Sequence, residues 1–225
     1  MAANVYKTLA KIVGILLLIV GIGCVWGGNF ANGYVTDQLV QQGITMPSQK
    51  AVEGQAKSGT SLTQEDVDAL VPYADTPLDS GAKAQAYSEH YIAAHMRGAA
   101  NEAGIPLDQA TFQGVGTFTN KKTSDFEAKL AGERPEMTED EITALAEAEI
   151  ANPDSQYAEA KEIASLQAMR TDTFFMGSMI RGTLLNAYGW GLVGTIVTIV
   201  GWLLIVVGVI LALLGFVLGN KKREA

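Results

Sequence analysis

Uninterrupted apolar runs occupy the two ends of this chain, and a polar stretch rich in Ala, Glu, Asp, Gln and Thr fills the middle. The first run covers residues 12–28, with no charge between Lys11 and Asp37. At about 1.5 Å of rise per residue it makes roughly 25 Å of helix, sufficient for a slightly thinned bilayer. The second covers residues 188–219, also uncharged, and its roughly 45 Å exceeds the hydrocarbon thickness, so it is expected to tilt or to rise above the membrane. The pattern predicts an all-α membrane protein with two transmembrane helices forming a hairpin and a mainly helical domain between them.

The middle carries helix punctuation and little strand pattern. The first helix is expected to continue through Tyr34, Val35, Leu39 and Val40 and to stop at Gly43. Residues 47–61, rich in Gly, Ser, Lys and Gln, predict a mobile connector. Thr63 with Asp66 reads as a capping box opening a short helix that ends before Pro72. Residues 82–103 form the strongest helix of the middle, with Ala86, Ile92, Ala93 and Met96 on a buried side and Gly104 past its end. Residues 113–120 are the one place where a short strand or irregular loop is expected. Ser124 with Glu127, and Thr138 with Glu141, read as further capping boxes, and Asn152-Pro153 as an N-cap followed by proline at the first helical position.

Charge adds an orientation. Lys7 and Lys11 precede the first run, and Lys221, Lys222 and Arg223 follow the second. Short basic flanks stay on the cytoplasmic side, so residues 1–11 and 220–225 are expected in the cytoplasm and residues 29–187 outside the cell membrane. That segment holds 23 acidic and 11 basic residues, a formal charge of −12 against +4 for the two tails. Trp26, and Tyr188 with Trp190, mark the outer interface; Trp202 falls inside the second run and is expected to pack on a neighbouring helix or to face lipid.

Glycine recurs at seven-residue spacing in both runs: Gly14, Gly21 and Gly28 in the first, Gly194, Gly201, Gly208 and Gly215 in the second. A strict heptad keeps a stripe on one face of a supercoiled helix, and glycine there lets backbones approach closely. The two stripes can zip together within the chain, or one can dock on a partner subunit. Gly23 and Gly27 form a GxxxG pair on a different face.

Candidate chemistry is sparse. Neither run contains an ionisable residue of the kind that marks ion paths or carriers. The lone Cys24 excludes an internal disulfide and reads as a small apolar residue, because Gly21-Ile22-Gly23-Cys24 makes a poor lipoprotein box; with no convincing small-x-small cleavage site after it, the first run is expected to be retained as a helix rather than removed as a signal peptide. His90 and His95 are five apart, about 140° around a helix, and do not share a face as metal ligands would. Phosphate-loop, nucleophile-elbow, zinc, calcium and dinucleotide patterns are absent from the sequence, so no catalytic residue, metal or cofactor is expected. Arg170 and Arg181 are the last basic residues before the second run: they either snorkel to headgroups or pair with acids, or contact a partner, as Trp202 could.

The segments Val35-Thr36-Asp37-Gln38-Leu39 leading to Ile44-Thr45, Ala84-Gln85-Ala86 leading to Tyr91-Ile92-Ala93-Ala94-His95, and Gly177-Ser178-Met179-Ile180-Arg181-Gly182 resemble an actinobacterial family of two-pass membrane proteins. Its members often carry the label aromatic ring-opening dioxygenase, which two histidines on different faces do not support. Residues 118–168 look like an insertion relative to that family. The resemblance implies a non-catalytic accessory subunit beside other integral membrane subunits, specifically those of the supercomplex of cytochrome bc complex and cytochrome c oxidase. The acidic charge disfavours nucleic acid as a partner. A second function class is an independent envelope sensor or assembly factor; a third, an enzyme, would carry a metal or cofactor.

Overall fold

The structure, a computed structural model, describes residues 2–58 and 61–220. The basic residues Lys221, Lys222 and Arg223 lie outside the described residues. Among the described residues nine α-helices follow in chain order: α1 (Ala2–Val40), α2 (Gln49–Ser58), α3 (Gln64–Leu70), α4 (Gly81–Ala86), α5 (Ala93–Glu102), α6 (Phe112–Glu133), α7 (Glu139–Ala151), α8 (Ala158–Met169) and α9 (Met176–Asn220). Wider π-helical turns at Tyr87–Ile92 and Arg170–Phe175 join α4 to α5 and α8 to α9. Among the described residues the only extended pairing is the isolated bridge of Thr45 with Pro77. The protein is all-α, and the stretches Val5–Val40 and Ala158–Val217 are long and apolar enough to cross a membrane.

Two compact units divide the chain. The first takes the described residues up to Thr45, Pro77–Gln85, and those from Leu185 onward. In it α1 runs unbroken to Val40 and ends in a turn at Gly43, whose φ of 64° favours a residue without Cβ and whose N–H donates to Val40 O at 3.0 Å. The chain returns at Leu78, whose N–H donates to Ile44 O at 2.9 Å. Val35, Leu39, Leu78 and Ala84 are buried in this unit.

The second unit takes Met46–Thr76 and Ala86–Leu184. Helix α5 ends in a complete Schellman turn: Gly104 at φ 68°, its N–H bonded to Asn101 O, and the Ile105 N–H bonded to Ala100 O at 2.8 Å. One core gathers Met96, Ala100, Ile105, Val115, Leu166 and Phe174. A second, inside the α6–α7–α8 bundle, gathers Phe126, Leu130, Ile142, Ala146, Ala160 and Ile163. Fully buried rings such as Phe126 and Phe174 contribute about 1.5–3 kcal/mol each. Thus residues 118–168 fold as helices with a core of their own. The Thr63–Asp66 and Thr138–Glu141 capping boxes are both formed.

Four expectations are corrected. Residues 47–61 are not a connector throughout: α2 forms over Gln49–Ser58, capped by the Ser48 hydroxyl, which accepts from Ala51 N–H at 3.2 Å, and anchored by fully buried Val52. Residues 113–120 are neither strand nor loop but the start of α6, because Thr111 caps the Gly114 N–H at 3.0 Å. Its threonines are satisfied inside the helix, the Thr119 hydroxyl donating to Val115 O at 2.7 Å. Ser124 and Glu127 accordingly lie inside α6 and cap nothing. Asn152 closes α7 instead of opening the next helix: its side chain accepts from Asp154 N–H at 3.0 Å in an Asx turn, and α8 begins only after Tyr157.

Candidate functional site

In the first unit the glycine stripes face one another. A Cβ placed on Gly14 would lie 2.8 Å from Gly208 O, one on Gly21 2.8 Å from Gly201 O, and one on Gly194 2.9 Å from Gly28 O. Gly215 meets the backbone of Lys11 at 3.0 Å, and the Lys11 ammonium sits 4.6 Å over the Phe216 ring. A side chain at any of the six positions other than Gly215 would collide with opposing backbone, and at Gly215 it would meet the Lys11 side chain, so the seam exists because the residues are glycine. Gly23 and Gly27 face open space. The outward faces carry large apolar side chains, among them Trp26, Trp190 and Trp202, the last 56% exposed.

Arg170 and Arg181 both serve the second unit. Arg170 Nε donates to Phe112 O at 3.2 Å, its guanidinium stacks 4.3 Å from the Phe112 ring, and it lies against Gly116, where a Cβ would be 2.8 Å from Nε. Arg181 Nε donates to Ser88 O at 3.2 Å. Arg170 opens one π-helical turn and Arg181 binds a carbonyl of the other.

The most elaborate polar site of the second unit centres on Asp66, which is only 3% exposed. Its carboxylate accepts from Thr63 N–H (2.9 Å), the Thr63 hydroxyl (2.8 Å) and Arg97 (3.0 Å), and His90 Nδ1 lies 3.1 Å away in the geometry of an N–H donor. Burial pushes this carboxyl upward, but the hydrogen bonds from Thr63 and His90 and the charge of Arg97 outweigh it and hold the group below its ordinary value. Beside it, Tyr87 and Tyr91 stack at 4.9 Å, and His95 meets the Tyr91 ring edge-on at 4.6 Å. Burial raises Tyr87 and lowers His95.

The capping box pointed to Asp66 in the sequence, but its pairing with His90 and Arg97, 24 and 31 residues away, left no sequence signal. His90 and His95 have separate partners, Asp66 and Ser61. Among the described residues no group of three or more His, Cys, Asp or Glu side chains is placed to hold a metal ion. The arrangement around Asp66 is that of a clamp between α3 and the helix carrying His90 and Arg97.

Fold and seam define a class: an all-α protein with a glycine-seamed pair of apolar helices, each long enough to cross a membrane. No protein-family model, curated protein or solved structure matches this chain.

Proposed function

We propose that this chain is a non-catalytic integral membrane accessory subunit that docks on a larger membrane complex. The seam is the observation that carries this reading: glycine contacts occupy the inner faces of α1 and α9, and the outer faces remain apolar and exposed, with Trp26, Trp190 and Trp202 on them. Such faces are stable only against lipid or the apolar helices of a partner. Basic flanks orient the pair with both termini in the cytoplasm of the cell membrane and the acidic helical domain outside. The family resemblance makes the respiratory assembly of cytochrome bc complex and cytochrome c oxidase the specific partner.

A mild-detergent pull-down of the tagged chain from its native membrane, with mass spectrometry and a haem spectrum of the eluate, tests the reading. Stoichiometric recovery with cytochrome subunits supports it. Recovery alone or with other envelope proteins replaces it with an independent envelope role.

A further inference from the structure

The glycine seam closes the helix pair only as far as Gly28 and Gly194. One turn further along α1, Asn32 replaces glycine on the same face, and its Oδ1 already lies 2.8 Å from where a Gly194 Cβ would be. The segment containing Ser80–Ala82 wedges in here: a Cβ on Gly81 would lie 3.2 Å from Tyr188 Cα, and one on Gly191 3.4 Å from Gly81 Cα. Beside this wedge a cavity of 330 Å³ opens, lined by Asn32, Val35, Thr36, Ser80, Tyr188 and Leu192 among others.

The lining is uncharged and two-sided. Val35 and Leu192 make an apolar wall, while the Asn32 amide and the Thr36 hydroxyl have no side-chain hydrogen-bond partner among the described residues and remain free to bind. The neighbouring Lys83 is committed to Asp79 at 2.8 Å and to Pro77 O at 2.9 Å. An anion placed here would lose water without gaining a counter-charge. A hydroxyl can both donate to and accept from a carboxamide. The volume lies at the small end for ligand sites, so it suits a head and the top of one chain.

On the membrane reading given above, the cavity sits at the level of Trp190 and begins about 9 Å beyond Trp26, on the headgroup side of the outer interface. We propose that it holds one acyl lipid with an uncharged, hydroxyl-bearing head of the diacylglycerol type. The head binds Asn32 and Thr36, and the chain passes Val35 and Leu192 into the bilayer.

The test uses the full chain in phosphatidylcholine nanodiscs containing a trace of diacylglycerol with a diazirine near the top of one chain. Photolabel should concentrate in peptides covering residues 32–36 and 188–195 and be competed by unlabelled dioleoylglycerol but not by phosphatidylglycerol. Ala82→Trp, which fills the cavity from its exposed rim, should cut labelling at least about tenfold, and Thr36→Val, which keeps the volume, about fivefold, the loss of one hydrogen bond. Label spread evenly along α1 and α9, equal competition by phosphatidylglycerol, or unchanged labelling of Thr36→Val overturns the site. An alkaline carbonate wash separates the two levels: a chain released from membranes overturns the membrane reading and the site with it, whereas a retained chain with even labelling overturns the site alone.

Discussion

Ser88 and Arg181, 93 residues apart, exchange two hydrogen bonds: Arg181 Nε donates to the Ser88 carbonyl at 3.2 Å, and the Ser88 hydroxyl donates to the Arg181 carbonyl at 3.4 Å. The Ser88 carbonyl also accepts from the Ala93 N–H five residues on, at the end of the π-helical turn. One carbonyl thus serves both the local helix and a distant arginine, which fixes the start of α9 against the central helix of the second unit.

Arg181→Met should therefore destabilise the second unit by about 1.5–3 kcal/mol, the value of a hydrogen bond to a charged group. Arg181→Lys keeps the charge but loses the Nε donor and should recover little of the loss. Urea midpoints of the detergent-solubilised chain, followed by near-ultraviolet dichroism, measure both; full recovery by lysine would mean that charge and not the fork geometry matters.

Glycines on the seam and off it should behave oppositely. Gly21→Leu, whose Cβ would meet Gly201 O at 2.8 Å, should cost about 1–3 kcal/mol of overpacking, whereas Gly23→Leu, facing open space, should be neutral. Thermal loss of the monodisperse peak on size exclusion compares them, and equal losses would argue against the seam.

The Asp66 clamp makes a pH prediction. Its carboxyl is held below the ordinary value in the folded chain, so its contribution is fully present above the ordinary carboxylate range and is lost as pH falls through the depressed folded value. Asp66→Asn should lower stability at neutral pH by about 2–3 kcal/mol, because Arg97 loses a charged partner. The variant should also lose less stability than the parent on acidification. A parallel pH dependence of the two urea midpoints would place the acid-sensitive group elsewhere.

Orientation can be read with the native cysteine removed. In a Cys24→Ala background, Gly132→Cys, at a position facing open space, should react with a membrane-impermeant maleimide on intact cells, and Ala225→Cys only after permeabilisation. The reverse pattern would invert the proposed topology.

Local signals in the sequence carried much of the fold. Two capping boxes, the turns at Gly43 and Gly104 and the glycine heptads each depend on residues within a few positions of one another, or on a period within one helix. Failures came where local chemistry has two uses. Asn152-Pro153 suits a helix start and an Asx turn equally, and threonine-rich residues 113–120 look extended until their hydroxyls bond back into α6. The site around Asp66 was legible only in its Thr63 half, because His90 and Arg97 reach it through tertiary packing. Nothing local marked either π-helical turn.

Each of those turns is an α-helix carrying one residue more than its ordinary winding requires. Removing a single residue from Tyr87–Ile92, Glu89 for example, would return the stretch to ordinary winding and leave the helix beyond it facing as before. His95 and Arg97 would keep their places beside Ser61 and Asp66, whereas a residue deleted from the regular helix between Ile92 and His95 would turn everything beyond it by about 100° and dismantle the clamp. The gene can therefore lose a codon inside the wide turn but not in the regular helix that follows it.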